Sequence, residues 1–138
     1  MDSEKLRAPI HSLNPPTPIC VNQEEKLKEV IKTMKDHHIG CVCVVDGQNK
    51  LQGIFSERDV LTRVVNKKLD TENTPVKEVM TPDPEYLFYD DEIAFALNRM
   101  HVGGFRHIPL LDLEGKPRGI ISIKDIISYL IKHLKQTN

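Results

Sequence analysis

Apolar residues along this chain follow two spacings, helical and alternating, and the same succession of spacings occurs twice. In the first half Leu27, Val30, Ile31 and Met34 recur at helical intervals, the pattern of an amphipathic helix. Asn22 and Glu25, just ahead, have the form of an N-cap and its capping box. Two short apolar runs follow, Cys41 to Val45 and Leu51 to Phe55, divided by Asp46-Gly47-Gln48-Asn49-Lys50; they predict a strand, a turn and a strand. A second helix is expected after Ser56, with Val60, Leu61 and Val64 on its apolar side. Ahead of the unit lie a proline-rich segment and a brief extended stretch, Pro18 to Val21. The second half has the same parts: an extended Pro84 to Phe88, then a helix through Ile93, Ala96, Leu97 and Met100. Strands follow from His107 to Leu111 and from Pro117 to Ile121 around a turn at Glu114-Gly115, and a last helix after Ser122 carries Ile126, Ile127 and Leu130. Each half reads strand, helix, strand, strand, helix, so the fold class is α+β.

The likeness extends to the letters. Gly53-Ile54-Phe55-Ser56-Glu57-Arg58-Asp59-Val60-Leu61 returns as Gly119-Ile120-Ile121-Ser122-Ile123-Lys124-Asp125-Ile126-Ile127, 66 residues later. The same offset pairs Pro9 with Pro75, Pro16 with Pro82, Met34 with Met100 and Asp46 with Asp112, with no insertion or deletion. The chain is a duplication: an arm over residues 1–8, a first repeat over 9–72 and a second over 73–138. Half-chains of about 65 residues are marginal alone, so the repeats are expected to share a buried interface.

Composition narrows the function. With 19 Lys and Arg against 20 Asp and Glu the net charge is −1, which argues against a nucleic-acid binder working by phosphate neutralisation. No apolar run approaches the roughly 20 residues of a membrane span, and the first residues have no signal-peptide character. A cytoplasmic protein is expected.

Three cysteines, Cys20, Cys41 and Cys43, offer no second pair to complete a zinc set. Cys41 and Cys43 alternate with valines, as core-packing thiols on a strand do. His37 and His38 are adjacent rather than one helical turn apart, and His101 falls at a helix end; no metal site is predicted. Nor does the sequence offer a nucleophile with an oriented base or a pair of acid and base carboxylates, so no enzyme activity is expected.

The order of elements, the doubled Gly-Ile-x-Ser-x-x-Asp, Met80-Thr81-Pro82 at the second repeat's entrance and Phe105-Arg106-His107-Ile108-Pro109-Leu110 at its second strand together resemble a tandem pair of cystathionine-β-synthase (CBS) domains, a Bateman module. The resemblance covers roughly Pro9 to Leu134. The first repeat departs from it with Leu13-Asn14-Pro15 where the second has Val79-Met80-Thr81, and with Gly40-Cys41 where the second has Arg106-His107.

Chemistry at the doubled motif is consistent with that family. A carboxylate accepts hydrogen bonds from two adjacent hydroxyls, and a helix start favours a nearby phosphate. The resemblance implies that Asp59 with Ser56, and Asp125 with Ser122, hold a ribose. It puts adenine near Cys20 and Val21 in one site and near Tyr86 and Leu87 in the other, with Thr81 at the second repeat's entrance. The same Ser-x-x-Asp spacing is also a capping box that needs no ligand. By resemblance Arg106 reaches the phosphate at the Asp125 site, helped by Arg58 from the other repeat, while the Asp59 site has Lys124 but only Gly40. His107 either supports Arg106 or is a strand-edge side chain. The sequence is thus read as two pseudo-symmetric CBS repeats packed as one regulatory module. It is expected to bind an adenine ligand (AMP, ADP, ATP, NAD or S-adenosylmethionine) in the cleft between its repeats, with no catalytic cofactor. It is expected to form a homodimer and to act on a separate, unknown regulated protein. The alternative is a structural dimerisation module without a physiological ligand.

Overall fold

Which residues turn inward follows the two periodicities, repeat by repeat. The computed structural model describes residues 3–137. Its elements are α1 (Ser3–Arg7), β1 (Cys20–Asn22), α2 (Leu27–His37), β2 (Cys41–Val45), β3 (Leu51–Ser56), α3 (Glu57–Asp59), β4 (Thr81–Pro82), α4 (Ile93–Gly103), β5 (His107–Leu111), β6 (Pro117–Ser122) and α5 (Ile123–Thr137). Two compact units result. One comprises Pro18–Pro84 with Leu113–Pro117; the other comprises the chain up to Thr17, Glu85–Asp112 and the chain from Arg118 onward.

In the first of these units the strands lie in the order β1-β2-β3-β4, with β1 parallel to β2 and the other pairs antiparallel. Helix α2 covers the sheet with Leu27, Val30 and Met34, which pack against Val42, Val44 and Phe55. Gly53 is needed where β3 meets β4: a Cβ there would lie 2.5 Å from the Met80 sulfur and 2.7 Å from the Thr81 carbonyl oxygen. The core of the other unit is the 66-residue translate of this one. Ile93, Ala96, Met100, Ile108, Leu110 and Ile121 take the places of Leu27, Val30, Met34, Val42, Val44 and Phe55.

The segment ahead of each repeat is exchanged. Ile10, at the start of repeat one, is buried in the core of repeat two, and its equivalent Val76 is buried in the core of repeat one. Backbone bonds repeat the exchange in register. Ile10 N–H donates to the Asp91 carbonyl (2.8 Å) as Val76 donates to Glu25 (2.8 Å), and Ile93 donates to Ala8 (2.9 Å) as Leu27 donates to Thr74 (2.9 Å). The free N–H groups at the start of α2 and α4 are therefore capped by carbonyls from a distant segment.

This corrects the expected Asn22–Glu25 capping box. Helix α2 begins at Leu27 behind Lys26, which makes no side-chain cap. The Asn22 side chain instead accepts from the Glu24 N–H at 2.9 Å in a turn. Two further differences separate the repeats. After Asp59 the helix continues as a π-helical stretch, Val60–Val65, in which the Asn66 N–H donates to Leu61, whereas α5 runs on from Ile123 to Thr137. And the extended stretch at 84–88 contracts to one parallel bridge, Leu87 to Leu110. Its counterpart β1 gains a bond from the Cys43 N–H to the Ile19 carbonyl, 3.0 Å; Pro109, at Cys43's position, has no N–H to give.

Candidate functional site

The two signature aspartates are built alike and surrounded differently. Ser56 ends β3 in extended conformation and caps α3; Asp59 returns the bond, its Oδ2 accepting from the Ser56 N–H (2.9 Å) and hydroxyl (3.1 Å). In the second repeat Asp125 Oδ2 accepts from the Ser122 N–H at 2.8 Å and the Asp125 N–H donates to Ser122 Oγ at 3.1 Å. Both are capping boxes, as the spacing allows.

Beyond the cap they part. Asp59 is buried, 8% exposed, and its Oδ1 faces Arg63 Nε at 3.5 Å. Arg63 is itself held by the Val79 and Met80 carbonyls, at 3.2 and 3.1 Å. Sequence reasoning missed this arginine, whose anchors are backbone oxygens 16 and 17 residues away. Its equivalent is Tyr129, which donates to the Lys5 carbonyl at 3.4 Å. Asp125 is exposed, so its carboxylate faces solvent at the start of α5, at the positive end of the helix dipole.

The basic residues differ in the same direction. Arg106 is exposed, and its carbonyl accepts from the Ile123 N–H at 2.9 Å, which fastens it beside the first turn of α5 and thus beside Asp125. The matching bond in repeat one runs from the Glu57 N–H to the Gly40 carbonyl, 2.9 Å. A Cβ on Gly40 would run into the Glu57 carboxylate. Repeat one thus sets an acid where repeat two has Ile123, and no cation at the equivalent of Arg106. Arg58 and Lys124 are exposed on the first turns of α3 and α5.

The residues expected around adenine divide. Val21 and Leu87 are buried in the two cores, so only their backbone remains available to a ligand. Tyr86 is 49% exposed and meets Phe88 edge to face, ring centres 5.7 Å apart. Cys20 is half-buried on β1, paired in register with Cys43. Thr81 on β4 pairs with Ile54, and His107 opens β5, partly buried. Burial pushes the Cys41 thiol up to about 12, with the nearby Asp59 charge adding to the effect. Among the described residues no three His, Cys, Asp or Glu side chains gather as a metal site, and no helix is long and apolar enough to cross a membrane.

Comparison with known proteins places this arrangement. The family model for the CBS domain matches residues 12–66 and 76–132. The chain belongs to the CBS-domain family and carries two such domains in tandem. It is 38% identical over 105 residues to an uncharacterized 17.7 kDa protein of Acidianus ambivalens, covering 76% of this chain and 62% of that one. The chain therefore spans less than two thirds of that relative's length. Among solved structures, a protein with CBS domains from Burkholderia ambifaria is 30% identical, with a TM-score of 0.77 over 94% of this chain and 93% of that one. A CBS domain protein from Pyrobaculum aerophilum, solved in complex with AMP, is 21% identical with a TM-score of 0.81 over 90% and 96%, and shows the shared fold. The expected pair of CBS repeats, a Bateman-like module, is thereby established.

Proposed function

We propose that the protein is a ligand-responsive regulatory module, not an enzyme, that binds an adenine nucleotide at the start of α5. The observation that carries this reading is the solvent-facing Asp125 carboxylate, set on a helix start beside the exposed Arg106. An acidic group that meets a ribose diol, a helix dipole and an arginine match the three chemical parts of a nucleoside phosphate. The AMP complex of the Pyrobaculum protein, which shares the fold, supports the ligand class. Asp59, with one oxygen in its cap, the other on Arg63, and Glu57 nearby, is the weaker site. Residues 9–72 and 73–138 form the two repeats of this reading, each lending its leading segment to the other, and it has the protein act on a separate regulated partner.

A thermal-shift panel of AMP, ADP, ATP, NAD, S-adenosylmethionine and adenosine tests the proposal. A ligand bound only by the folded state, present at 100 times its Kd, stabilises by about 2.7 kcal/mol, a rise on the order of 5–10 °C for a chain this size. No shift with any of the six compounds would leave association as the module's only role.

Association has its own observation. Ile31, Met34, Ile39, Val60 and Leu61 line an open groove of about 490 Å³ between α2 and the helix after Ser56, and Leu61 and Val65 are 62% and 59% exposed. An apolar surface of this kind marks a contact between copies, and we place the homodimer there. Light scattering at tens of micromolar is expected to give twice the chain mass, and Leu61→Glu the single mass; a wild-type monomer would remove the assignment.

A further inference from the structure

β1 and β2 run parallel with Cys20 opposite Cys43, so the two side chains leave the same face of the sheet. Adjacent strands lie about 4.8 Å apart, inside the roughly 4.4–6.8 Å between Cα atoms that a disulfide spans. Both cysteines are free thiols; Cys20 is half-buried and Cys43 fully buried. The Cys20 thiol donates to the Pro18 carbonyl at 4.0 Å; interaction with Cys43 holds Cys20 below the ordinary thiol range, and interaction with Cys20 together with burial holds Cys43 far above it. The pair is thus polarised: the accessible thiol is the one that ionises, and the thiolate is the reactive form. Cys41 lies two residues along β2, but its register partner is Ser56, so no thiol stands opposite it. In repeat two the positions of Cys20 and Cys43 are held by Tyr86 and Pro109, which confines the pair to one repeat.

We propose that Cys20 and Cys43 are a modification site, a peroxide-reactive thiol and its resolving partner, that close reversibly into a cross-strand disulfide. The Cys20 thiolate attacks one oxygen of hydrogen peroxide; an S–O bond forms as the O–O bond breaks, and the departing hydroxide takes a proton to leave as water. The Cys43 sulfur then attacks the Cys20 sulfenic acid. The S–S bond forms as the S–O bond breaks, and the hydroxyl leaves as a second water with the Cys43 proton. Two electrons pass from the thiol pair to the peroxide. A bond directly across neighbouring parallel strands is a tight fit, and a strained disulfide is readily reduced by thiol exchange. The link joins the strand ahead of α2 covalently to the middle of the sheet, and it does so whether or not a nucleotide binds at Asp125.

Treating the whole chain with a small excess of hydrogen peroxide, alkylating the remaining thiols and mapping unreduced peptides by mass tests this. Wild type and Cys41→Ser are expected to lose about two mass units, the two thiol hydrogens, with the Cys20 peptide joined to the Cys43 peptide and released by dithiothreitol. Cys20→Ser is expected to form no link. Cys43→Ser is expected to accumulate Cys20 sulfenic acid, trapped by dimedone, because the resolving thiol is gone. The proposal is overturned if Cys20 reacts to the same products in wild type and Cys43→Ser, if it joins chains to one another instead, or if it does not react.

Discussion

Asp125→Asn is expected to weaken AMP binding by about 1.5–3 kcal/mol, because the charge that strengthens bonds from the ribose hydroxyls is lost while size is kept. Folding should change little, since the Asn oxygen can still accept the Ser122 N–H in the cap. The same substitution at Asp59 is expected to act the other way. Asp59 is buried against Arg63, so removing its charge leaves that arginine without its carboxylate and costs folding stability instead. Calorimetric titration with AMP and thermal melting of both variants separate the two effects. Normal AMP binding by Asp125→Asn would mean that this carboxylate is a helix cap and nothing more.

Arg106→Ala should weaken AMP and ADP by roughly 1.5–3 kcal/mol and adenosine hardly at all, since the guanidinium meets the phosphate and not the nucleoside. The side chain is exposed, and what fastens this residue to α5 is its backbone carbonyl, which alanine retains. The fold should therefore survive. Parallel titrations with AMP and adenosine decide the matter: equal losses for both would show that Arg106 acts by packing rather than by charge.

Much of this was legible because the chain states its pattern twice. Helical spacing at Leu27, Val30 and Met34 and alternation through Val42 and Val44 identified residues that do form a core, and the 66-residue translation identified the other core. The hairpins and the two Ser-x-x-Asp caps were likewise local, set by residues within a turn of one another. The signals that failed were long-range ones. A cap supplied by Thr74 to Leu27 or by Ala8 to Ile93 leaves no trace in the residues beside the helix, so Asn22 and Glu25 looked like the cap. The exchange of Ile10 and Val76 between cores is equally invisible to a reading that moves along the chain. Gly40 and Arg106 in the sequence already set the surroundings of the two signature aspartates apart. They did not reveal that Asp59 faces Arg63, because Arg63 reads as one more helical cation until the Val79 and Met80 carbonyls appear beside it. One difference is readable in the sequence itself: Pro109 in a strand position forfeits an N–H, which shortens the pairing with residues 86–88.

A crystal structure of the protein grown with AMP decides whether a nucleotide sits on Asp125. The ribose hydroxyls are expected on the Asp125 carboxylate at about 2.5–2.8 Å, the distance of a hydroxyl donating to a charged oxygen, with the phosphate at the first turn of α5 within reach of Arg106. AMP bound away from Asp125, or Asp125 bound only to Ser122 at saturating AMP, would contradict it.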